Sequence, residues 1–156
     1  MRVLFVCTGN TCRSALAEAI ATRVAAERGV HDVVVSSAGT SAWDGAPASD
    51  GALLVGIERK LDLNQHRARQ LSREIVAENE LVLAMGPHHL ERIEALGGEG
   101  KTHLLTDFAE HATSGRAIVD PFGGGLDIYR STTDELEREV VLVFDRLATE
   151  RSSGAP

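Results

Sequence analysis

Short apolar runs alternate with longer amphipathic stretches along most of the chain. Short apolar runs are typical of buried strands, and they predict strands at residues 2–6, 33–38, 81–85 and 102–106. The stretches between and after them predict helices at residues 13–28, 47–57, 73–78, 87–97 and 133–149. Because strands and helices alternate, we expect an α/β fold, with a four-stranded parallel sheet and helices on both faces.

Residues that favour helix ends support these boundaries. Gly29 can stop the helix over residues 13–28, and Pro47 suits a first helical turn. Ser72 is a favourable N-cap. Thr132 and Glu135 have the spacing of a capping box, which places the start of the last helix near residue 133.

Length and composition fit one domain. The chain has 156 residues, of which 43% are hydrophobic, enough for a sizeable core. We therefore expect a single three-layer domain over residues 1–150 and a disordered tail at residues 151–156.

The charge and the N-terminal residues restrict the partners. The net charge is -7, only 4% of residues are aromatic, and no basic cluster occurs, which disfavours nucleic-acid binding. No apolar run approaches the roughly 20 residues of a membrane span, and the first residues are not apolar enough for a signal peptide. We expect a monomeric cytoplasmic protein that binds neither nucleic acid nor membranes.

The segment "VCTGNTCRS" follows the first predicted strand and contains both cysteines of the chain. Ligands of such folds bind at the carboxyl ends of the strands, where Cys7 lies. Gly9 and Asn10 tolerate left-handed backbone, so the loop can curl until its N–H groups surround an anion. Arg13, at the start of a helix, offers a planar fork for two phosphate oxygens. The sequence thus predicts a phosphate-binding loop after the first strand.

Cys7 is the candidate nucleophile of this loop. A helix N-terminus and an arginine both favour the thiolate, and the chemistry implied is phosphoryl transfer to sulfur. The hydroxyl of Ser14 can donate to that thiolate. The other residues expected to bind phosphate are Thr8, Gly9, Asn10, Thr11 and Cys12.

Other interpretations of the cysteines fit less well. Cys7 alone could be a buried structural residue at the end of a strand. A zinc site would need further ligands, but no second cysteine pair exists, and His88 and His89 are adjacent rather than spaced. The spacing is also not that of a C-x-x-C redox pair. We expect no metal and no organic cofactor.

Asp120 is the candidate proton donor that phosphoryl transfer from a poor leaving group requires. It begins the segment "DPFGGG", in which Pro121 stiffens the backbone and the glycines allow adjustment. The alternative is a simple Asp-Pro turn. Trp43 and Phe122 are candidates to line the mouth of the site.

The motif C-x5-R-S after an N-terminal strand resembles the low-molecular-weight protein tyrosine phosphatase family. The similarity extends along nearly the whole chain through "SSAGTSAWDG" (36–45), "HRARQL" (66–71) and "DPFGG" (120–124). The resemblance implies that Asp120 is the general acid. It also implies that Asn10, Ser37 and His66 brace the phosphate loop.

Thr11 indicates which substrate is expected. Many family members have an apolar residue there, whereas a hydroxyl can accept a hydrogen bond from a guanidinium. Together, "FVCTGNTCRS" and "DPFGGGLDIY" closely resemble the protein-arginine phosphatase branch, and Gly123 fits that branch. Ala15 departs from it, because the branch usually has proline. The expected partners are phosphorylated proteins, and the product is inorganic phosphate.

Three alternative functions remain. A tyrosine phosphatase has the same fold. An arsenate reductase shares the loop but needs cysteines beyond Cys12. A phosphate-binding module without activity needs neither a nucleophile nor an acid. If Cys7 is a reactive thiolate, we also expect reversible regulation through a Cys7–Cys12 disulfide.

Overall fold

Four parallel strands form one sheet, in the order β2-β1-β3-β4, in the computed structural model, which describes residues 1–153. The strands are β1 (Arg2–Cys7), β2 (Val34–Gly39), β3 (Leu81–Ala84) and β4 (Thr102–Leu104). In the register of β1, Cys7 pairs with Gly39 of β2, and Val6 pairs with Ala84 of β3. β1 is an inner strand, and the strand order reverses beside it. Cys7 therefore lies at the edge of the sheet where parallel α/β folds bind ligands.

Helices cover both faces of the sheet. They are α1 (Arg13–Glu27), α2 (Asp50–Arg59), α3 (Arg73–Glu78), α4 (Pro87–Ile93), α5 (Leu105–Glu110) and α6 (Leu126–Ser153), and a π-type turn at Glu94–Gly98 follows α4. On one face, α6 packs against α1, α2 and α5. On the other face, α3 and α4 contribute Val76 and Ile93 to a second core.

The alternation of side chains in β1 creates these two cores. Val3, Phe5 and Cys7 belong to the core beneath α1 and α6, while Leu4 and Val6 belong to the core beneath α3 and α4. The three-layer α/β fold predicted from the sequence is confirmed. None of the helices within residues 1–153 has an apolar stretch long enough to cross a membrane.

Two predicted helix starts are wrong. α2 begins at Asp50, because the hydroxyl of Ser49, rather than Pro47, caps it by accepting from Ala52 N at 3.3 Å. α6 begins at Leu126, well before residue 133. Thr133 does not start the helix, since its hydroxyl donates to the carbonyl of Tyr129 one turn earlier at 2.7 Å.

The prediction also differs at the ends of β4 and α6. The strand predicted at residues 102–106 ends at Leu104, and Leu105 begins the unpredicted helix α5. α6 continues to Ser153, so residues 151–153 of the expected tail are helical, and residues 154–156 lie outside the described residues. By contrast, Ser72 caps α3 as predicted, accepting from Ile75 N at 3.2 Å.

Candidate active site

Residues 7–14, from the last residue of β1 to the first turn of α1, form a curled loop. Asn10 has left-handed backbone with φ of 58°. Loop carbonyls accept hydrogen bonds from groups outside the loop: Cys7 from Thr40 N (2.9 Å), Thr8 from Ser41 N (2.9 Å), Asn10 from His66 Nε2 (2.6 Å) and Thr11 from Ser49 N (3.0 Å). A trans peptide holds its N–H opposite its C=O, so outward carbonyls direct the following N–H groups inward. The loop is therefore built to surround an anion with N–H donors.

A chain of hydrogen bonds leads to the sulfur of Cys7. The side-chain amide of Asn10 donates to Ser14 Oγ at 2.8 Å, and Ser14 Oγ lies 2.9 Å from Cys7 Sγ. Because the oxygen of Ser14 already accepts a hydrogen bond, its proton is available to the sulfur. Such a donor stabilises a thiolate as nucleophile and as leaving group.

Asn10 joins the loop to the protein behind it. Its side chain is fully buried, donates to Ser37 Oγ at 2.9 Å and accepts from Arg69 N at 3.0 Å. Ser37 in turn donates to Glu18 Oε1 at 2.5 Å. His66 Nε2 donates to the carbonyl of Asn10, since a carbonyl can only accept. Ser37 and His66 thus contact Asn10 and hold its strained backbone.

Arg13 and Asp120 are neighbours at the loop. Arg13 is buried, and its Nη1 donates to the carbonyl of Ile118 at 3.1 Å. Its Nη2 lies 3.6 Å from Asp120 Oδ2. The other carboxylate oxygen of Asp120 accepts from Phe122 N at 3.1 Å. The segment that follows Ile118 therefore brings a half-exposed carboxylate next to the guanidinium of the phosphate loop.

A cavity of about 360 Å³ opens over this loop. It is lined by Cys7, Thr8, Gly9, Thr11, Cys12, Arg13, Ser41, Trp43, Ala46, Asp120 and Phe122. Trp43 is 84% exposed and Phe122 is 71% exposed, so these rings flank the mouth of the cavity. The side chains of Asn10, Ser14, Ser37 and His66 do not line it and lie behind the loop. The predicted site residues thus form two layers, one that faces a ligand and one that supports the loop.

Comparison with known proteins identifies the family. Residues 2–153 match the family model described as "Low molecular weight phosphotyrosine protein phosphatase". The chain belongs to this family. The loop between β1 and α1 and the cavity over it therefore belong to a low molecular weight phosphatase.

Relatives of similar length are found within the family. The chain is 37% identical to the protein-arginine-phosphatase of Bacillus subtilis (strain 168), over 97% of this chain and 99% of the relative. It is 39% identical to that of Geobacillus stearothermophilus, over 96% and 98%. A solved structure of a Cys-to-Ser mutant of YwlE arginine phosphatase, with a phosphorylated active-site serine, superposes with a TM-score of 0.90 at 36% identity, covering 97% of this chain and 99% of that one.

His89 is a site residue that the sequence did not reveal. It is fully buried at the start of α4, and its Nε2 lies 2.9 Å from Thr8 Oγ1. Burial, together with the nearby charges of His88 and Arg13, lowers the pKa of His89 to about 4. His89 is therefore neutral at neutral pH. The local sequence around His89 did not predict this contact, because Thr8 and His89 come together only in the folded protein.

Cys12 is held by two groups that the sequence also did not reveal. Cys12 Sγ lies 3.2 Å from Ser49 Oγ and 3.3 Å from the hydroxyl of Tyr129. Burial raises the pKa of Tyr129 to about 12, so the phenol stays protonated. Cys7 and Cys12 are both free thiols. The disulfide expected between them stays a prediction.

Gly39, at the end of β2, allows the phosphate loop to pack closely against the sheet. A Cβ at this position would lie 2.4 Å from the carbonyl oxygen of Thr8 and 3.0 Å from Asn10 N. Both neighbours are backbone atoms of the loop. No residue other than glycine fits here without moving the loop.

Proposed function

We propose that this protein hydrolyses phosphoarginine in proteins through a phosphocysteine intermediate. Cys7 is the nucleophile, Arg13 and the inward N–H groups of the loop bind the phosphate, and Asp120 is the general acid and base. Support comes chiefly from one arrangement: Cys7 Sγ lies 2.9 Å from Ser14 Oγ at a cavity that Asp120 also lines, beside Arg13.

The first step forms the phosphocysteine. The Cys7 thiolate attacks phosphorus in line and the P–N bond breaks, while Arg13 and the N–H groups stabilise charge on the equatorial oxygens. Asp120 gives a proton to the departing arginine side chain.

The second step releases inorganic phosphate. Asp120, now a carboxylate, takes a proton from water, and the water oxygen attacks phosphorus as the S–P bond breaks. The thiolate leaves with the hydrogen bond from Ser14 in place. Neither step as written uses a metal or an organic cofactor.

The choice of phosphoarginine rests on Thr11 and on the relatives. Phosphoarginine carries N–H donors beside the phosphate, and buried donors need acceptors. Thr11 and Asp120 line the same cavity and both carry acceptor oxygens. Within residues 1–153, the hydrogen-bond contact of Thr11 Oγ1 is a long one with Cys12 Sγ, at 3.8 Å, which leaves the oxygen available. The two relatives named protein-arginine-phosphatase match nearly the whole chain.

A tyrosine phosphatase is the second candidate, because aromatic rings flank the cavity. Trp43 and Phe122 could stack on a phosphotyrosine ring. Arginine guanidinium groups also stack on aromatic faces, so these rings fit both substrates.

The test compares two peptides of one sequence that carry either phosphoarginine or phosphotyrosine, with a chelator present. We expect faster release of phosphate from phosphoarginine, and no release by a folded Cys7→Ser variant. Equal or faster hydrolysis of phosphotyrosine would favour the second candidate. Turnover by Cys7→Ser above a contaminant control would contradict the covalent mechanism.

We infer that the substrates are phosphorylated proteins of the cytoplasm. Two free thiols in one small domain suit a reducing compartment. The monomeric state stays a prediction, which light scattering can test.

A further inference from the structure

A second cavity, of about 400 Å³, opens beside the catalytic cavity. Phe122 lines both cavities and forms a common wall. Ser49 and Tyr129 line the second cavity, and both contact the sulfur of Cys12 in the phosphate loop, at 3.2 and 3.3 Å. Only one layer of side chains therefore separates this cavity from the phosphate loop. A protein substrate whose phosphorylated residue enters the first cavity can place a neighbouring residue at the second.

The wall of the second cavity is apolar and accessible. Leu54 of α2 and Leu126 of α6 line it together with the ring of Phe122. Leu54 is 52% exposed and Phe122 is 71% exposed, although both have large apolar side chains. Exposed apolar groups that cluster in a depression are typical of binding sites.

Asp50 gives this cavity its charge. Among residues 1–153, it is the one lining residue of the cavity with a formally charged side chain, because Tyr129 stays protonated. Asp50 is exposed, and no ion pair within the described part of the chain involves it. It lies one helical turn before Leu54 on α2, so a carboxylate and an aliphatic wall share one face. The net charge of -7 adds to the attraction for a cation.

We propose that the second cavity is a substrate subsite for a lysine or arginine close in sequence to the phosphoarginine. The aliphatic stem of such a side chain packs against Leu54, Leu126 and Phe122, and its cationic head pairs with Asp50. An extended peptide places residues two positions apart on the same side, so a basic residue two positions from the phosphoarginine faces the same surface of the protein. The proposal rests on the proposed function and specifies its substrates as phosphoarginine proteins with basic neighbours.

The test uses three substrates: free phosphoarginine, a phosphoarginine peptide with lysine two positions away, and the same peptide with alanine in place of that lysine. We expect the wild-type protein to prefer the lysine peptide over the alanine peptide. Asp50→Asn should lower kcat/KM for the lysine peptide by about two- to fivefold, the size of a partly exposed ion pair. This loss of kcat/KM should be smaller at high salt. The kcat/KM values for free phosphoarginine and for the alanine peptide should not change.

Two matched controls separate the subsite from general effects. Leu54→Ala should lower kcat/KM for the lysine peptide selectively. Ile57→Ala should not, because Ile57 lies on the same helix and is 73% exposed but is outside the cavity. Asp127→Asn removes the same charge from an exposed residue outside the cavity and should leave the preference intact.

The outcomes distinguish the two proposals. If free phosphoarginine and the alanine peptide are hydrolysed but lysine brings no preference, the subsite is wrong and the proposed function stands. The subsite is also wrong if Asp50→Asn reduces all three substrates equally. If no phosphoarginine substrate is hydrolysed, the proposed function itself fails.

Discussion

Thr11 is the residue on which the choice of substrate depends. Replacing it by isoleucine leaves a guanidinium donor facing a methyl group, and an unsatisfied buried donor costs about 1–3 kcal/mol, or about five- to 150-fold in rate. We predict that Thr11→Ile lowers kcat/KM for phosphoarginine by a factor in this range. The activity on phosphotyrosine should hold or rise, because the added apolar surface suits an aromatic ring. Parallel assays on the two peptides measure the change.

Thr11→Ser is the matched control, because it keeps the hydroxyl and removes only a methyl group. It should retain most of the phosphoarginine activity. A parallel loss on both substrates in Thr11→Ile, with the fold intact by circular dichroism, would mean that Thr11 only supports the loop.

Asp120 is predicted to act on the leaving group rather than on phosphate binding. Asp120→Asn should reduce turnover of phosphoarginine by about 10²–10⁴, as expected for loss of a general acid. The reduction should be smaller for an aryl phosphate with an acidic phenol, which departs without a proton. Vanadate affinity should change little, since Arg13 and the N–H groups remain. Asp127→Asn is the control, and an Asp120→Asn rate equal to wild type would remove Asp120 from the mechanism.

The site elements that could be predicted from the sequence have either a local pattern or a counterpart in the family that the chain resembles. Cys7, Arg13 and the loop between them follow from short-range pattern, and Asp120 follows from its Pro-Gly context. His89 and Tyr129 could not be predicted, because they contact the loop from 81 and 117 residues away along the chain. Such contacts exist only once the sheet has brought the elements together.

The same distinction holds for the secondary structure. The inner strands β1 and β3 were predicted to within one residue, since burial on both faces produces continuous apolar runs. The short helix α5 was missed because tertiary packing, more than propensity, stabilises a helix of six residues. The capping-box spacing at Thr132 was misleading, because Thr132 is buried inside α6, which begins at Leu126.

The contact between β2 and the phosphate loop provides a prediction about two elements. Gly39→Ala would place a methyl group 2.4 Å from the carbonyl oxygen of Thr8, so the loop must shift. We expect a loss of stability of about 1–3 kcal/mol from overpacking, and weaker vanadate binding because the N–H groups move. Urea unfolding and vanadate titration measure the two effects. Val34→Ala, at the exposed start of β2, is the control and should leave vanadate binding unchanged. If Gly39→Ala also leaves vanadate binding unchanged, the packing argument is wrong.

The response of the whole molecule to acid depends on the buried His89. The pKa of His89 falls from 6.5 to about 4 on folding, mainly through burial. Between these values the folded protein binds fewer protons than the unfolded chain, so stability is lost as the pH falls through this window. The loss is at most about 3 kcal/mol. We predict that His89→Asn, which cannot be protonated, flattens this decline, as measured by urea unfolding at pH 7.5 and 4.5. His31→Asn, at an exposed histidine, is the control, and an equally steep decline in His89→Asn would contradict the assignment.

The change in stability as the pH rises towards neutrality depends on a cluster of carboxylates around Arg116, in the segment before Asp120. Arg116 pairs with Glu110 at 2.6 Å, with Glu139 at 2.5 Å and with Glu135. Glu139 is buried, and its Oε2 has no partner among the residues described. Burial and the neighbouring Glu110 raise the pKa of Glu139 to about 7, whereas Glu139 and Arg116 hold the pKa of Glu110 below its usual value. Of these two carboxyl groups, Glu139 therefore keeps its proton to the higher pH.

Glu139→Gln should remove the contribution of Glu139 to the pH dependence of stability. This contribution has the opposite sign to that of His89. Between pH 4.5 and about 7 the folded protein binds more protons at Glu139 than the unfolded chain, so its contribution to stability falls as the pH rises through this window. Glutamine keeps an oxygen that can accept the hydrogen bond from Arg116, but it cannot ionise. We predict that Glu139→Gln matches wild type near pH 5 and gains about 1–3 kcal/mol relative to it at pH 8. Urea unfolding at the two pH values measures this difference, with the exposed Glu150→Gln as control. A variant less stable than wild type at pH 8 would show that folding does not raise the pKa of Glu139 and that Arg116 requires all three carboxylates.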